Sequence, residues 1–149
     1  MLDKGGSMRS KKWIIPIVVL IVTVQLVVAF YAIPFIKLNN LLKTANNTTP
    51  SEIEAIYSDK AYRTFISQSD YMKMHIVEDE LNVEEYAKVT SKKKVNLLSI
   101  SSLRISCDTE IAVYTTESMS PIKKYTGNLT VNFVFKNGCW TVTGVNSEV

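Results

Sequence analysis

The amino-acid sequence predicts an α+β protein in which an N-terminal transmembrane helix is followed by helices packed on a curved four-stranded antiparallel sheet. Three observations carry this expectation. Residues 13–36 read WIIPIVVLIVTVQLVVAFYAIPFI and contain no formal charge. Residues 49–66 repeat apolar side chains at intervals of three and four, the period of a one-sided helix. From Val95 onward the period falls to nearly two and β-branched residues take over, the pattern of half-buried strands. The implied organisation is a cytoplasmic tail over 1–12, the transmembrane helix over 13–36, a membrane-proximal linker over 37–49 and one extracytoplasmic domain over 50–149.

At about 1.5 Å per helical residue the uncharged run crosses the roughly 30 Å hydrocarbon layer with length to spare. Arg9, Lys11 and Lys12 precede it and the acidic Asp3 lies farther upstream, so the positive-inside rule leaves the N-terminus in the cytoplasm and the rest of the chain outside. Trp13 at one end and Phe30, Tyr31 and Phe35 at the other match the aromatic belts of the two interfaces. Pro16 and Pro34 lie near the ends, where they interrupt little. Gln25 reads equally as a tolerated polar residue or as a helix-pairing amide. Val27-Val28-Ala29 has the small residues of a signal-peptidase site. The apolar run nevertheless exceeds the usual length of about 7–15 residues and continues past Ala29, which favours a retained anchor. No cysteine follows the apolar core at a lipidation position. Lys4-Gly5-Gly6 is also what a purine-rich ribosome-binding sequence encodes in frame, with Met8 following. Initiation at Met8 in a bacterium and a plain N-terminal tail both fit, with the same topology.

The net charge of +3 comes from Lys4, Arg9, Lys11 and Lys12 against Asp3. From Lys37 onward, basic and acidic residues number thirteen each. A neutral outer domain without a basic stripe argues against nucleic acid as a partner, because such binding rests on phosphate neutralisation.

Leu38, Leu41 and Leu42 prolong the membrane helix to Ala45 along one face, and Asn46-Asn47-Thr48-Thr49 ends it. Asn46, Asn47 and Asn128 each open an N-x-Thr triplet, which in a bacterial chain is coincidence. Thr49-Pro50-Ser51-Glu52 is a capping box with proline at the first helical position. Ile53, Ile56, Tyr57, Ala61, Phe65 and Ile66 form the stripe behind it, beside Tyr62, with Ser58-Asp59 as a possible break. Tyr71 to His75 predicts a further turn or two capped by Ser69 or Asp70. The charges from Glu78 to Lys94 read as a solvated face. Leu103, Ile105 and Cys107, then Ile111, Val113 and Thr115, point to one side. A turn at Asp108-Thr109-Glu110 would align the two sets, and the broken parity at Leu97-Leu98 and Ile100 predicts a bulge near Ser99–Ser102. Leu129, Val131, Phe133 and Phe135 share a face. Asn137-Gly138 predicts a type I′ hairpin pairing Phe135 with Trp140 and Phe133 with Val142. That register separates Cys107 from Cys139 beyond disulfide reach and predicts two free thiols.

The tail from Leu98, with LSISSLRISCDTEIAVYTT, LTVNFVFKNGCWTVTGV and the closing Gly138-Cys139-Trp140-Thr141-Val142, resembles the last strands of the nuclear transport factor 2-like superfamily, over about fifty residues. The resemblance implies a cone whose interior is filled by the Trp, or opened for a ligand or a catalytic acid or base. Layouts of this kind are similar to small membrane-tethered bacterial members and to inner-membrane assembly factors of type IV secretion channels. Asp70, His75, Tyr57, Tyr62 and Tyr71 are the candidates for chemistry in such a cone. No metal-ligand spacing, phosphate loop or nucleophile motif accompanies them, so neither a catalytic site nor a cofactor is expected. Two functions compete: an interaction module held at the membrane for a protein partner or a second copy, as in an envelope or conjugation complex, and a small-ligand binder or enzyme using the cone. Filling by Phe133, Phe135 and Trp140 favours the first, a cavity of several hundred Å³ the second. Tyr114 and Val134 on the exposed sheet are the expected contact residues.

Overall fold

A computed structural model of the chain describes residues 7–49, 52, 60–78 and 81–148. It separates into two units, Met1–Ile36 and Lys37–Val149. Helix α1 (Ser7–Ala45) begins in the first and ends in the second. Within the first unit every side chain from Trp13 to Ala29 is exposed, although nearly all are apolar. A helix apolar around its whole circumference matches lipid, not water. It is long and apolar enough to cross a membrane, and Pro16 and Pro34 lie inside it.

The second unit is α+β, as expected. Two short helices, α2 (Lys60–Phe65) and α3 (Gln68–Met72), precede four strands, β1 (Glu85–Ser99), β2 (Ser102–Thr115), β3 (Lys123–Lys136) and β4 (Cys139–Glu148). The strands form one antiparallel sheet in the order β1-β2-β3-β4. Its odd-numbered positions Leu103, Ile105, Cys107, Ile111, Val113, Leu129, Val131 and Phe133, with Trp140, Val142 and Val145 from β4, face inward and are buried. They are covered by Leu38, Leu41, Leu42 and Ala45 of α1 and by Phe65, Ile66, Tyr71, Met74, Ile76 and Val77. Gly127 lets this cover close, since a Cβ there would meet the Ile76 side chain at 3.1 Å.

The Asn137-Gly138 hairpin forms as predicted, with φ of 54° and 80° at its two residues. Phe135 pairs with Trp140 and Phe133 with Val142. One half of the capping box forms: the Thr49 N–H donates to Glu52 Oε2 at 3.1 Å, while the Glu52 N–H donates to the Thr49 carbonyl at 3.0 Å. The stripe residues Ile53, Ile56 and Tyr57 and the break at Ser58-Asp59 lie outside the described residues.

Three expectations are corrected. There is no turn at Asp108-Thr109-Glu110; β2 runs straight through, with Thr109 facing inward and Asp108 and Glu110 outward. Parity is unbroken from Leu103 to Val113, so one strand buries both apolar sets without a turn. The reversal lies instead at Ile100-Ser101, beside a register shift between Leu97 and Ser99, where the sequence breaks parity. The sheet also starts ten residues earlier than Val95, because the charge run from Glu85 to Lys94 is the first part of β1. Ala87 is buried and Val89, Ser91 and Lys93 half-buried, while Lys88, Thr90, Lys92 and Lys94 are exposed; lysines spaced this way are typical of an edge strand kept from self-pairing. Finally, the cap of α3 is Ser67, not Ser69 or Asp70. Ser67 Oγ accepts from the Asp70 N–H at 3.1 Å and donates to Asp70 Oδ2 at 2.8 Å.

Asn46, 1% exposed, ties these parts together. Its Nδ2 donates to the carbonyls of Leu42 (2.8 Å) and Met74 (2.9 Å), and its Oδ1 accepts from the N–H of Ile76 (2.7 Å) and of Val77 (3.2 Å). Burial this complete leaves no room for a glycan. Replacing Asn46 by Leu strands the Met74, Ile76 and Val77 backbone groups in the core, each at about 1–3 kcal/mol. Chemical denaturation of N46L should therefore show a loss of about 3–5 kcal/mol with little change in m-value.

Candidate functional site

Of the residues nominated for chemistry, Asp70, Tyr71 and His75 take structural positions. Tyr57 lies outside the described residues. Tyr62 belongs to α2, with its side chain undescribed. Tyr71 is fully buried. Asp70 is occupied on both oxygens: Oδ2 by Ser67, Oδ1 by the Val145 N–H of β4 at 3.1 Å and by Lys73 Nζ at 3.3 Å. Burial alone would raise its pKa, but the bonds from Ser67, Val145 and Lys73 together outweigh it and hold the carboxyl below its ordinary range. His75 is half-buried; burial lowers its pKa, partly offset by a hydrogen bond to the Thr48 backbone. Asp70 thus fastens α3 to the last strand, and His75 braces the loop after α1.

The aromatic side chains of the last strands lie on the covered face of the sheet. Phe133 and Trp140 are buried, Phe65 packs on Phe133 at 6.2 Å between ring centroids, and Phe135 meets Trp140 edge-on at 5.5 Å. Of the expected contact residues, Tyr114 is half-exposed and stacks on Tyr86 at 5.7 Å, whereas Val134 lies half-buried in β3.

A groove of about 650 Å³ lies elsewhere, along the free edge of β1, lined by Asn39, Asn40, Leu42 and Lys43 of α1 and by Tyr86 to Ser91 and Lys93. Its chemistry follows from the ladder. Ala87 opposes Val113, and the Ala87 N–H and C=O both turn away from β2 to bond Asn47, at 2.7 Å to Oδ1 and 2.9 Å from Nδ2. In an antiparallel pair such outward-facing residues alternate, so the backbone groups of Val89, Ser91 and Lys93 also face the groove. Asn47 mimics one residue of an added strand, and the next positions face the groove. The sequence marks this edge only through the alternation of lysines with small or branched residues from Ala87 to Lys93, a signal hidden within its charge run.

No family model, curated protein or solved structure matches this chain. The geometry therefore carries the functional reading by itself. Among the described residues no group of three or more His, Cys, Asp or Glu side chains could hold a metal ion. Both cysteines are free, Cys107 buried and Cys139 exposed. They sit on β2 and β4 with β3 between them. Burial, with Asp108 opposing the milder effect of Lys93, pushes the Cys107 thiol up to about 11.

Two outcomes follow. Maleimide should label one thiol of the native chain, Cys139, and both only after unfolding, as peptide mass mapping would show. Acid should destabilise the fold in two steps. His75 has a folded pKa below its unfolded 6.5, so stability falls as pH drops below that value. Asp70 has a folded pKa below 3.8, so its contribution is complete above that pH and is lost as pH falls through the folded value. In pH-dependent thermal melts, His75→Gln should remove the upper step and Asp70→Asn the lower.

Proposed function

We propose that this chain is a single-pass membrane protein with a cytoplasmic N-terminus, whose outer domain is a binding module for another protein. An accessory or assembly subunit of a bacterial envelope, conjugation or secretion complex is the role that suits this organisation. The observation that carries the reading is the open edge of β1: three successive outward-facing backbone positions, Val89, Ser91 and Lys93, beside a groove of about 650 Å³. An extended segment can add there as a fifth strand, with main-chain bonds supplying affinity and side-chain pockets supplying selectivity. Lys43, Lys88 and Lys93 line the groove, which favours an acidic segment and disfavours a second copy of the same lysine-bearing edge. Tethering adds to this by confining the domain to the membrane surface, where its effective concentration toward a membrane partner is raised.

The order of elements supports placing the domain in the nuclear transport factor 2-like class. Helices come first, then an antiparallel meander whose last strand carries Trp140 into the core.

Protease added to intact cells should digest residues 37–149 while a cytoplasmic control survives. A photo-crosslinker at Lys93 should trap a partner in membranes. Ser91→Pro removes an N–H that faces the groove and none that bonds β2, so it should leave thermal stability within about 1 kcal/mol yet abolish the crosslink. A chain that stays monomeric and uncrosslinked would overturn the proposal.

A further inference from the structure

The β1–β2 hairpin carries a second feature, independent of the edge groove. From Lys94 to Ile100 every residue is exposed on both faces of the strand, so this hairpin overhangs the core. Its side chains are nevertheless apolar: Leu97, Leu98 and Ile100 are 60%, 55% and 82% exposed. A loop tip that exposes three large aliphatic side chains is costly in water.

Two further observations say what covers it. The first is charge. No acidic residue occurs between Val95 and Cys107 or between Leu129 and Ser147, whereas Lys92, Lys94, Arg104 and Lys136 are exposed around the hairpin. The acidic strand residues Glu85, Asp108, Glu110 and Glu148 lie toward the middle and far end of the sheet. The second is the point of entry of the chain. Lys37, the first residue after the apolar run, places Nζ 4.2 Å from the Phe65 ring centroid. Phe65 packs on Phe133, and Phe133 stands in the cross-strand row Leu97–Leu103–Phe133–Val142. Asn47, ten residues on, is bonded to Ala87 at the other end of β1. The chain therefore enters the domain at the end of the sheet that carries the apolar tip.

From these we infer that the β1–β2 hairpin tip inserts Leu97, Leu98 and Ile100 into the interfacial layer of the bilayer that holds the anchor, with the surrounding lysines and Arg104 on anionic headgroups. The inference rests on the membrane-anchored reading above. Apolar side chains at the headgroup boundary and cations within a Debye length of an anionic surface are the two components of interfacial binding. Together they dock the outer domain on the bilayer surface.

The test uses the full chain reconstituted into vesicles of phosphatidylcholine mixed with phosphatidylglycerol. In a Cys139→Ser background, an environment-sensitive fluorophore is placed by Leu98→Cys and, as a control in the β2–β3 loop, by Met119→Cys. The expected result is blue-shifted emission at position 98, quenched by a nitroxide on the lipid near the headgroup, with position 119 unquenched. Leu97→Ser with Ile100→Ser should lose that quenching without changing the circular dichroism spectrum, because neither side chain is in the core. Phosphatidylcholine alone should weaken it. Position 98 as water-exposed as position 119 in a chain that resists alkaline carbonate extraction overturns docking and leaves the anchor standing. Undiminished quenching in the serine variant or in phosphatidylcholine alone also overturns it, by removing the apolar or the charged component. A chain released by carbonate overturns both readings.

Discussion

The second unit depends on what two adjacent asparagine side chains do at the end of α1. A helix ends with carbonyls that have no partner in the helix. Here Asn46 and Asn47 fold back onto the carbonyls of Leu42 and Lys43 and use their remaining bonding capacity across the fold. Asn46 reaches the segment from Met74 to Val77, and Asn47 reaches Ala87 on the edge strand. These contacts join residues about thirty and forty positions apart at one point. The incoming helix, the cover over the sheet and the edge of β1 thereby become one packed body. A satisfied polar network of this kind is specific as well as stabilising, because each half-made alternative leaves buried backbone groups without partners.

With that joint made, the inner face of the sheet is covered by the described helices and the segment after them. The inner face of the sheet packs under the last turns of α1 and under α2 and α3, with Phe65, Phe133 and Trp140 buried there. Two features among the described residues stand outside this packing: the β1 edge with its outward backbone groups, and the overhanging hairpin. An open edge is a hazard unless its partner is restricted. Asn47 blocks one position, and the lysines of β1 discourage pairing between identical edges.

The elements legible in the sequence were those decided by near neighbours. Asn137-Gly138 specifies its turn because a type I′ geometry needs positive φ at two successive residues, and the pairs Phe135–Trp140 and Phe133–Val142 then follow from counting outward. Thr49 and Glu52 cap because they are three residues apart. The misreadings share a cause. Asp108 and Glu110 suggest a turn by composition, but the uninterrupted alternation from Leu103 to Val113 is the stronger indication and the strand follows it. The lysines from Lys88 to Lys94 read as a solvated face and hide the first part of β1. On an edge strand half the positions and one whole side belong to water, so a polar composition and a strand are compatible there. Asp70 and His75 attract notice as titratable groups, yet a carboxylate with three donors and a half-buried imidazole are here fasteners of the fold.

Composition and short-range pattern were thus sufficient for the uncharged span over residues 13–36, the α+β class, the final hairpin and the inward face of β2 and β3. Each depends on properties that act within a few residues: transfer of side chains out of water, allowed backbone dihedrals and the alternation of a pleated strand. Tertiary structure alone decided that Asn46 and Asn47 are structural joints, that Phe133 and Trp140 are buried under the helices, and that Lys37 and the apolar tip lie at the same end of the sheet. Those facts depend on which backbone groups meet after the chain has folded back over thirty or more residues, and hydrogen-bond satisfaction across such distances leaves no periodic trace in the amino-acid order.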